Sequence, residues 1–430
     1  MMRGKRHRKI PTSFFLMTPS SHDLIYRERG DRMKPLDFKI SGFLFSGVQA
    51  GIKKDGRRDL GLICSEIPAQ VAGLFTTNAV KAAPVLLDME RAKGGLCQAI
   101  VVNSGNANAC TGSQGFKDAR KISSLVSKGL GIDDRLVFVS STGVIGVPLP
   151  LKKIEDGIPE LVEGLSPEGW MKVVEAIMTT DTFPKVEVAS CRIKGKSVKL
   201  CGMIKGAGMI RPDVATMLSF LVTDASIKGP VLREMLTQAA ERSYNRITVD
   251  GETSTNDTVL LMANGKAGHP PIQRIDRDGK MFQSMLTEVC GELAKSVVKD
   301  GEGATKFIEI QIKGAKNQED AKKAAYAIAH SPLVKTAFFG EDANWGRILS
   351  ALGHSGAEVN PNHIDVSFDS APIVRKGMGV PSRLEERASK IIKKKAFRVT
   401  VDLHQGKSEI SVFTTDLSID YVKINASYRS

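Results

Sequence analysis

The sequence predicts an α/β fold, a large layered unit followed by a smaller α+β unit, and three features predict it. From Phe43 onward the chain alternates short apolar runs with glycine-rich turns, as strands of one sheet do. Between these runs lie stretches with apolar residues at helical spacing, such as Ile122, Leu125, Val126 and Leu130. Finally, Met217 to Val222 is uniformly apolar and short, the pattern of a strand buried on both faces.

In order, Gly47-Val-Gln-Ala-Gly51, Leu60-Gly-Leu-Ile-Cys64 and Ala72-Gly-Leu-Phe-Thr-Thr-Asn78 read as strands. Gln98 to Asn103 is a further buried strand, running into the small, polar loop Asn103-Ser-Gly-Asn-Ala-Asn-Ala-Cys-Thr-Gly112. A helix over Lys117 to Leu130 is stopped by Gly131. Leu136 to Val139 is a strand ending in Ser140-Ser-Thr-Gly-Val-Ile-Gly146. A second helix is expected from Ser166-Pro-Glu, with a capping hydroxyl and a proline in its first turn, burying Trp170, Val173, Val174 and Ile177. Val186 to Val188 and Ser197 to Leu200 form a hairpin about Gly195. Pro230 opens an amphipathic helix, and Met281 to Lys299 is a long one.

The second unit is expected to begin at Asp300, with a strand over Phe307 to Ile312 and helices near Gln318 to Ala329 and from Asn344. Phe397 to Leu403 and Glu409 to Phe413 read as a strand pair about Gly406, and the tail from Tyr421 as a fraying end.

Composition narrows the function. The chain of 430 residues is 42% hydrophobic and 25% charged, ordinary for a globular protein, and no apolar run approaches the ~20 residues of a membrane helix. Six cysteines, Cys64, Cys97, Cys110, Cys191, Cys201 and Cys290, lack metal-binding spacing and are expected to be buried free thiols in a reducing, cytoplasmic setting. Of the formal charge of +14, residues 1–35 hold +6. A second basic cluster, Lys390 and Lys393 to Lys395, reads as a solvated face, and few aromatics interleave with either, which weakens a nucleic-acid reading. Asp250-Gly-Glu-Thr-Ser-Thr-Asn-Asp257 carries three acids without the calcium-loop pattern, so no metal is expected.

The chemistry centres on Lys205-Gly-Ala-Gly-Met-Ile-Arg-Pro-Asp-Val-Ala-Thr-Met-Leu218. Thr216 follows a glycine-rich loop and precedes the buried strand, where its hydroxyl can attack a carbonyl, including that of Ala215; equally, a β-branched threonine simply suits the start of a strand. Thr142 and Gly143 offer a hydroxyl and an unhindered N–H side by side, as an oxyanion hole requires. Glu302, between two glycines, is a carboxylate that a ligand's ammonium group can approach, although a glycine cap before a strand explains the same residues.

These motifs, from Leu36 to Ser430, resemble in order those of the ornithine acetyltransferases, the bifunctional glutamate N-acetyltransferases of arginine biosynthesis. The departure is Val214, where that family usually has methionine. The resemblance implies a layered α-β-β-α-type sandwich around the nucleophile strand, spanning 36–299, and a smaller α+β domain, 300–430, whose tail returns to the active site. It implies a precursor that cuts itself between Ala215 and Thr216 into 1–215 and 216–430, giving two alpha and two beta chains. Thr216 then becomes an N-terminal nucleophile with oxyanion donors Thr142 and Gly143. Substrate contacts fall on Thr179 or its neighbour Thr180, Lys205, Thr216, Glu302, Asn425 and Ser430. The reaction passes acetyl from N-acetylornithine to glutamate without a cofactor, with acetyl-coenzyme A a second donor in some members. Residues 1–35 precede the resemblance and read as a dispensable arm, a targeting segment or translation upstream of Met33; the first is expected. Two other readings stand beside this one: a self-processing N-terminal-nucleophile aminopeptidase or amidohydrolase, whose acyl-enzyme is resolved by water, and a basic nucleic-acid-binding protein.

Overall fold

A computed structural model describes residues 38–211 and 217–427. The first unit runs β1 (Phe43–Val48), β2 (Leu60–Phe75), α1 (Ala83–Arg91), β3 (Leu96–Asn106), α2 (Gly112–Leu130), β4 (Val137–Val144), α3 (Leu151–Glu163) and α4 (Trp170–Ile177). It continues with β5 (Lys185–Ile193), β6 (Lys196–Lys205), β7 (Leu218–Thr223), α5 (Gly229–Glu241), β8 (Thr258–Ala263) and α6 (Arg277–Lys299). Among the described residues its eight strands make one sheet in the order β4-β3-β2-β8-β7-β6-β5, with β1 added on β2.

The long strand β2 folds this sheet on itself. Leu60 to Cys64 pair with β3 and Gln70 to Phe75 pair with β8, with a register break between Cys64 and Ala69. The two halves then face one another across a core that takes Ile63, Ile100, Val102 and Phe138 from one half and Val188, Met203, Phe220 and Met262 from the other. Alternation sends the next residues outward. Leu62, Val101 and Val139 pack under α2 and α3, while Leu200, Leu221 and Leu261 pack under α5 and α6. The α-β-β-α layering expected from the resemblance is therefore present. In β7, every residue is buried because both faces are covered.

The second unit comprises β9 (Phe307–Ala315), α7 (Gln318–His330), α8 (Pro332–Phe339), α9 (Trp345–Gly353), β10 (Asp365–Phe368), β11 (Ala371–Arg375), β12 (Met378–Gly379), α10 (Ser382–Ile392), β13 (Ala396–Asp402), β14 (Ser408–Thr415) and α11 (Ile419–Ala426). Its sheet is ordered β12-β11-β10-β13-β9-β14. Ile308, Ile310 and Ile312 turn one face of β9 toward α7, α8 and α9, where Phe338 meets Phe368 and Phe397 edge-on. The opposite face is polar, with Arg398 paired to Glu309.

Several sequence expectations are corrected. β13 and β14 do not pair with each other: β9 lies between them, parallel to β13 and antiparallel to β14, so the turn at Gly406 spans a strand. Ser166 does not cap a helix but pairs through its backbone with Phe45, and α4 starts at Trp170. The runs at Leu60 and Ala72 are one strand, and β1 starts at Phe43, ahead of Gly47. Helix α3 is not evident in the sequence because Gly157 and Pro159 interrupt it; Ile154, Ile158 and Leu161 nonetheless form its buried stripe. Cys110 is exposed and Cys191 half-buried, while the other four thiols are buried as expected. The tail does not simply fray, since residues 419–426 form α11. Among the described residues no helix is long and apolar enough to cross a membrane.

Candidate active site

The site forms where strands from the two halves of the folded sheet end together. β4 runs out through Thr142 and Gly143 beside Gly105 of β3. Gly143 has φ +134, and a Cβ there would sit 2.3 Å from the Gly105 carbonyl carbon, so a residue with a side chain could not bring β4 this close. Asn256 fastens the same corner, its amide donating to the Ala107 carbonyl at 2.6 Å and to that of Ser141 at 2.8 Å. From the facing half, β6 ends at Lys205, which lies opposite Leu218 of β7 in register. The buried Lys205 Nζ donates to Thr142 Oγ1 at 3.0 Å. Because this hydroxyl accepts from an ammonium group, its own hydrogen is directed elsewhere, available to a developing negative charge.

Burial pushes the Lys205 ammonium to a lower pKa, against the pull of Asp181, Asp257 and Glu302. Asp181 is the hub of this network. Its Oδ1 accepts from Lys185 Nζ at 2.6 Å and from the Gly206 N–H at 2.8 Å, and its Oδ2 accepts from the Thr179 N–H at 2.9 Å. Burial alone would raise its carboxyl, but Lys185 and Lys205 hold it down to about 2. Lys185 also pairs with Asp300, which in turn takes the backbone N–H of Thr182 at 3.0 Å. One carboxylate thus fixes the Thr179 backbone and the first residue of the glycine loop; the carbonyl of Thr179 accepts two bonds of 3.3 Å from Arg57.

Further along the loop, the Glu302 N–H donates to the Ala207 carbonyl at 2.8 Å, and its carboxylate lies directly over Gly208. A Cβ at Gly208 would come within 2.3 Å of Glu302 Oε2, so glycine makes room for the acid. Asn425 of α11 donates to the same oxygen at 2.9 Å. Asp250 accepts from the N–H groups of Met209 and Ile210, at 2.6 and 2.9 Å.

Of the sequence-predicted residues, the structure brings Thr142, Gly143 and Lys205 together. Thr179 joins them through Asp181 and Gly206, and Glu302 and Asn425 join through Ala207 and Gly208. Thr180 is half-buried beside Thr179. Ala215, Thr216 and Ser430 lie outside the described residues, as does Val214. Sequence reading missed Asp181, Asp250 and Arg57. Among the described residues no group of three or more His, Cys, Asp and Glu side chains converges to hold a metal. A cavity of about 380 Å³ lined by Asp342, Asn344, Trp345 and Glu385 belongs to the second unit and contains none of these residues.

A polarised hydroxyl beside an unhindered N–H, a buried ammonium, and a carboxylate able to take a cationic group, all at strand ends of a four-layer α/β sandwich, define an acyl-transfer enzyme. Residues 44–430 match the model of the ArgJ family, and the chain belongs to that family. The arginine biosynthesis bifunctional protein ArgJ of Geobacter sulfurreducens is 54% identical over 391 residues, covering 91% of this chain and all of that protein. Among solved structures, ArgJ of Bacillus halodurans aligns at 41% identity with a TM-score of 0.47, over 50% of this chain and all of that one. Ornithine acetyltransferase of Mycobacterium tuberculosis, complexed with ornithine, aligns at 37% identity with a TM-score of 0.37, over 41% of this chain and 93% of that one.

Proposed function

We propose that the chain transfers the acetyl group of N2-acetylornithine to glutamate through an acetyl-Thr216 intermediate, after cutting itself between Ala215 and Thr216. The enzyme is an acyltransferase of arginine biosynthesis, as its family and relatives are. The observation that carries the mechanism is the Lys205–Thr142 hydrogen bond, made at the end of β6 where its register neighbour, Leu218, stands two residues beyond Thr216.

In the first reaction the Thr216 hydroxyl attacks the Ala215 carbonyl carbon. The C–N bond breaks, the nitrogen takes the hydroxyl proton, and an ester remains. Water cleaves that ester, leaving a carboxylate on Ala215 and a free hydroxyl and α-amine on Thr216. An α-amine has an ordinary pKa of about 7.7–8.0, close enough to neutrality to serve as base for its own hydroxyl. In the transfer reaction that hydroxyl attacks the acetyl carbonyl of N2-acetylornithine. The oxyanion is held by the Thr142 hydroxyl and the Gly143 N–H, and ornithine leaves with the proton. Glutamate's amine then takes the acetyl group from Thr216. Glu302 holds the side-chain ammonium of the ornithine moiety, Lys205 a carboxylate, and Thr179, Asn425 and Ser430 complete the contacts. Thr179 is preferred over Thr180 because Asp181 fixes its backbone.

No cofactor enters this cycle. N2-acetylornithine is the preferred donor and acetyl-coenzyme A a weak one, and the processed enzyme assembles as two alpha and two beta chains. The donor preference is tested by an acetyl-transfer assay with glutamate and each donor in turn. Ping-pong kinetics with acetylornithine are expected; equal efficiency with acetyl-coenzyme A would overturn the preference, and free acetate as main product would point to a hydrolase.

A further inference from the structure

The loop from Gly206 to Ile210, which leads to the scissile bond, is held by the carboxylates of Asp181 and Asp250 and by the backbone N–H of Glu302, and the carboxylates of Asp250 and Glu302 are also gripped by α11. Asp250 accepts the N–H groups of Met209 and Ile210. Met209 has φ +58, a left-handed conformation that a residue with a side chain keeps only when its surroundings impose it. The Ile210 carbonyl is fixed as well, accepting from the Val249 N–H and from Thr248 Oγ1, each at 2.9 Å. On α11 the half-buried Tyr421 hydroxyl donates to Asp250 Oδ2 at 3.2 Å, and four residues later Asn425 donates to Glu302, the acid lying over Gly208. The start of α11 is itself seated, Ser418 Oγ donating to the Gly303 carbonyl at 2.6 Å.

From this arrangement we infer that Asp250 and Tyr421 are positioning residues for self-cleavage, acting through the backbone of Met209 and Ile210, and that cutting between Ala215 and Thr216 depends on the docking of α11. Tyr421 acts through Asp250: its hydrogen bond orients the carboxylate whose two oxygens set the backbone of Met209 and Ile210. A chain whose second unit has not folded, and so has not docked α11, therefore stays whole. The inference rests on the self-cleavage reading above, with the same bond broken and the same proton transfer; it adds which groups hold the loop while this happens.

The test follows freshly synthesised full-length precursor by mass spectrometry, timing the appearance of fragments ending at Ala215 and beginning at Thr216. Tyr421→Phe, which removes one oxygen, is expected to slow cutting at least tenfold while leaving the thermal unfolding midpoint of the precursor unchanged. Asp250→Asn is expected to slow it at least as much, and the double variant no more than Asp250→Asn alone. Val422→Ala, on the exposed face of α11, should cut like the unaltered chain. Cutting of Tyr421→Phe at the unaltered rate, or effects of the two substitutions that multiply, would overturn the inference while leaving the self-cleavage reading intact. An unaltered chain that stays whole would overturn both.

Discussion

Thr142 illustrates how much a single contact can decide. Its hydroxyl accepts from Lys205, and in the proposed mechanism its hydrogen is thereby presented to the reacting carbonyl. Losing one oxyanion donor typically costs about 10²–10³ in rate. Thr142→Ala should therefore lower kcat of the processed enzyme by about that factor with KM nearly unchanged; a rise in KM alone would make Thr142 a binding group instead. Thr216→Ala should fold but stay uncut, since it removes the oxygen proposed to attack, and loss of one hydroxyl typically costs no more than about 1–2 kcal/mol. Asp181 brings a pH dependence. Its folded pKa, about 2, lies below the ordinary 3.8, so the unfolded chain takes up the proton first. Its stabilising contribution, on the order of 2 kcal/mol, is present above about pH 4 and is lost as pH falls from there toward 2. Urea unfolding at a series of pH values should fall more steeply in that window for the unaltered protein than for Asp181→Asn, and parallel curves would contradict the assignment. The motif residues were legible in the sequence because they stand in unusual runs, Ser-Thr-Gly and Lys-Gly-Ala-Gly. Asp181 was not, because a lone acid in a polar run has no spacing to betray that Lys185, the Thr179 N–H and, from 25 residues away, the Gly206 N–H all donate to it.

The elements were legible wherever one period governed them. α6 showed its stripe of Phe282, Met285, Leu286, Val289 and Leu293, and β7 its unbroken apolar run. β2 reads as two strands in the sequence because its middle, Glu66 to Pro68, is exposed and contains a proline; the backbone stays extended there while the pairing partner changes. The pairing of β13 and β14 failed for another reason: strands close in sequence are usually neighbours, but β9 had already claimed both edges. α6 reaches the sheet over Gly202 of β6, where a Cβ would lie 2.7 Å from Leu293 Cδ1 and 2.9 Å from Leu221 Cδ2. Gly202→Ala is thus expected to cost about 1–3 kcal/mol, the usual penalty for overpacking, seen as a lower midpoint in urea. Adding Leu293→Val should recover part of it, whereas a loss equal to the sum of the two single changes would show that the contact is not the cause.

For the whole molecule, the folded sheet explains why residues as distant in sequence as Thr142, Thr179, Lys205, Glu302 and Asn425 meet. β4 and β6 come from opposite halves of the sandwich, α6 carries Asp300 and Glu302 to the loop at the end of β6, and α11 returns from the second unit. Composition could suggest only a basic globular protein whose field attracts carboxylate substrates. That the basic charge belongs to an acyltransferase rather than to a nucleic-acid binder became clear from the site and the family. The central claim is that Thr216, freed by the chain's own cut, carries the acetyl group. Its most direct test is intact-mass analysis of the purified protein after brief exposure to N2-acetylornithine without glutamate, with fragmentation to locate the label. One acetyl group on the first residue of a fragment beginning at Thr216, discharged when glutamate is added, is the predicted result. A single uncut chain, or an acetyl group on any other residue, would contradict it.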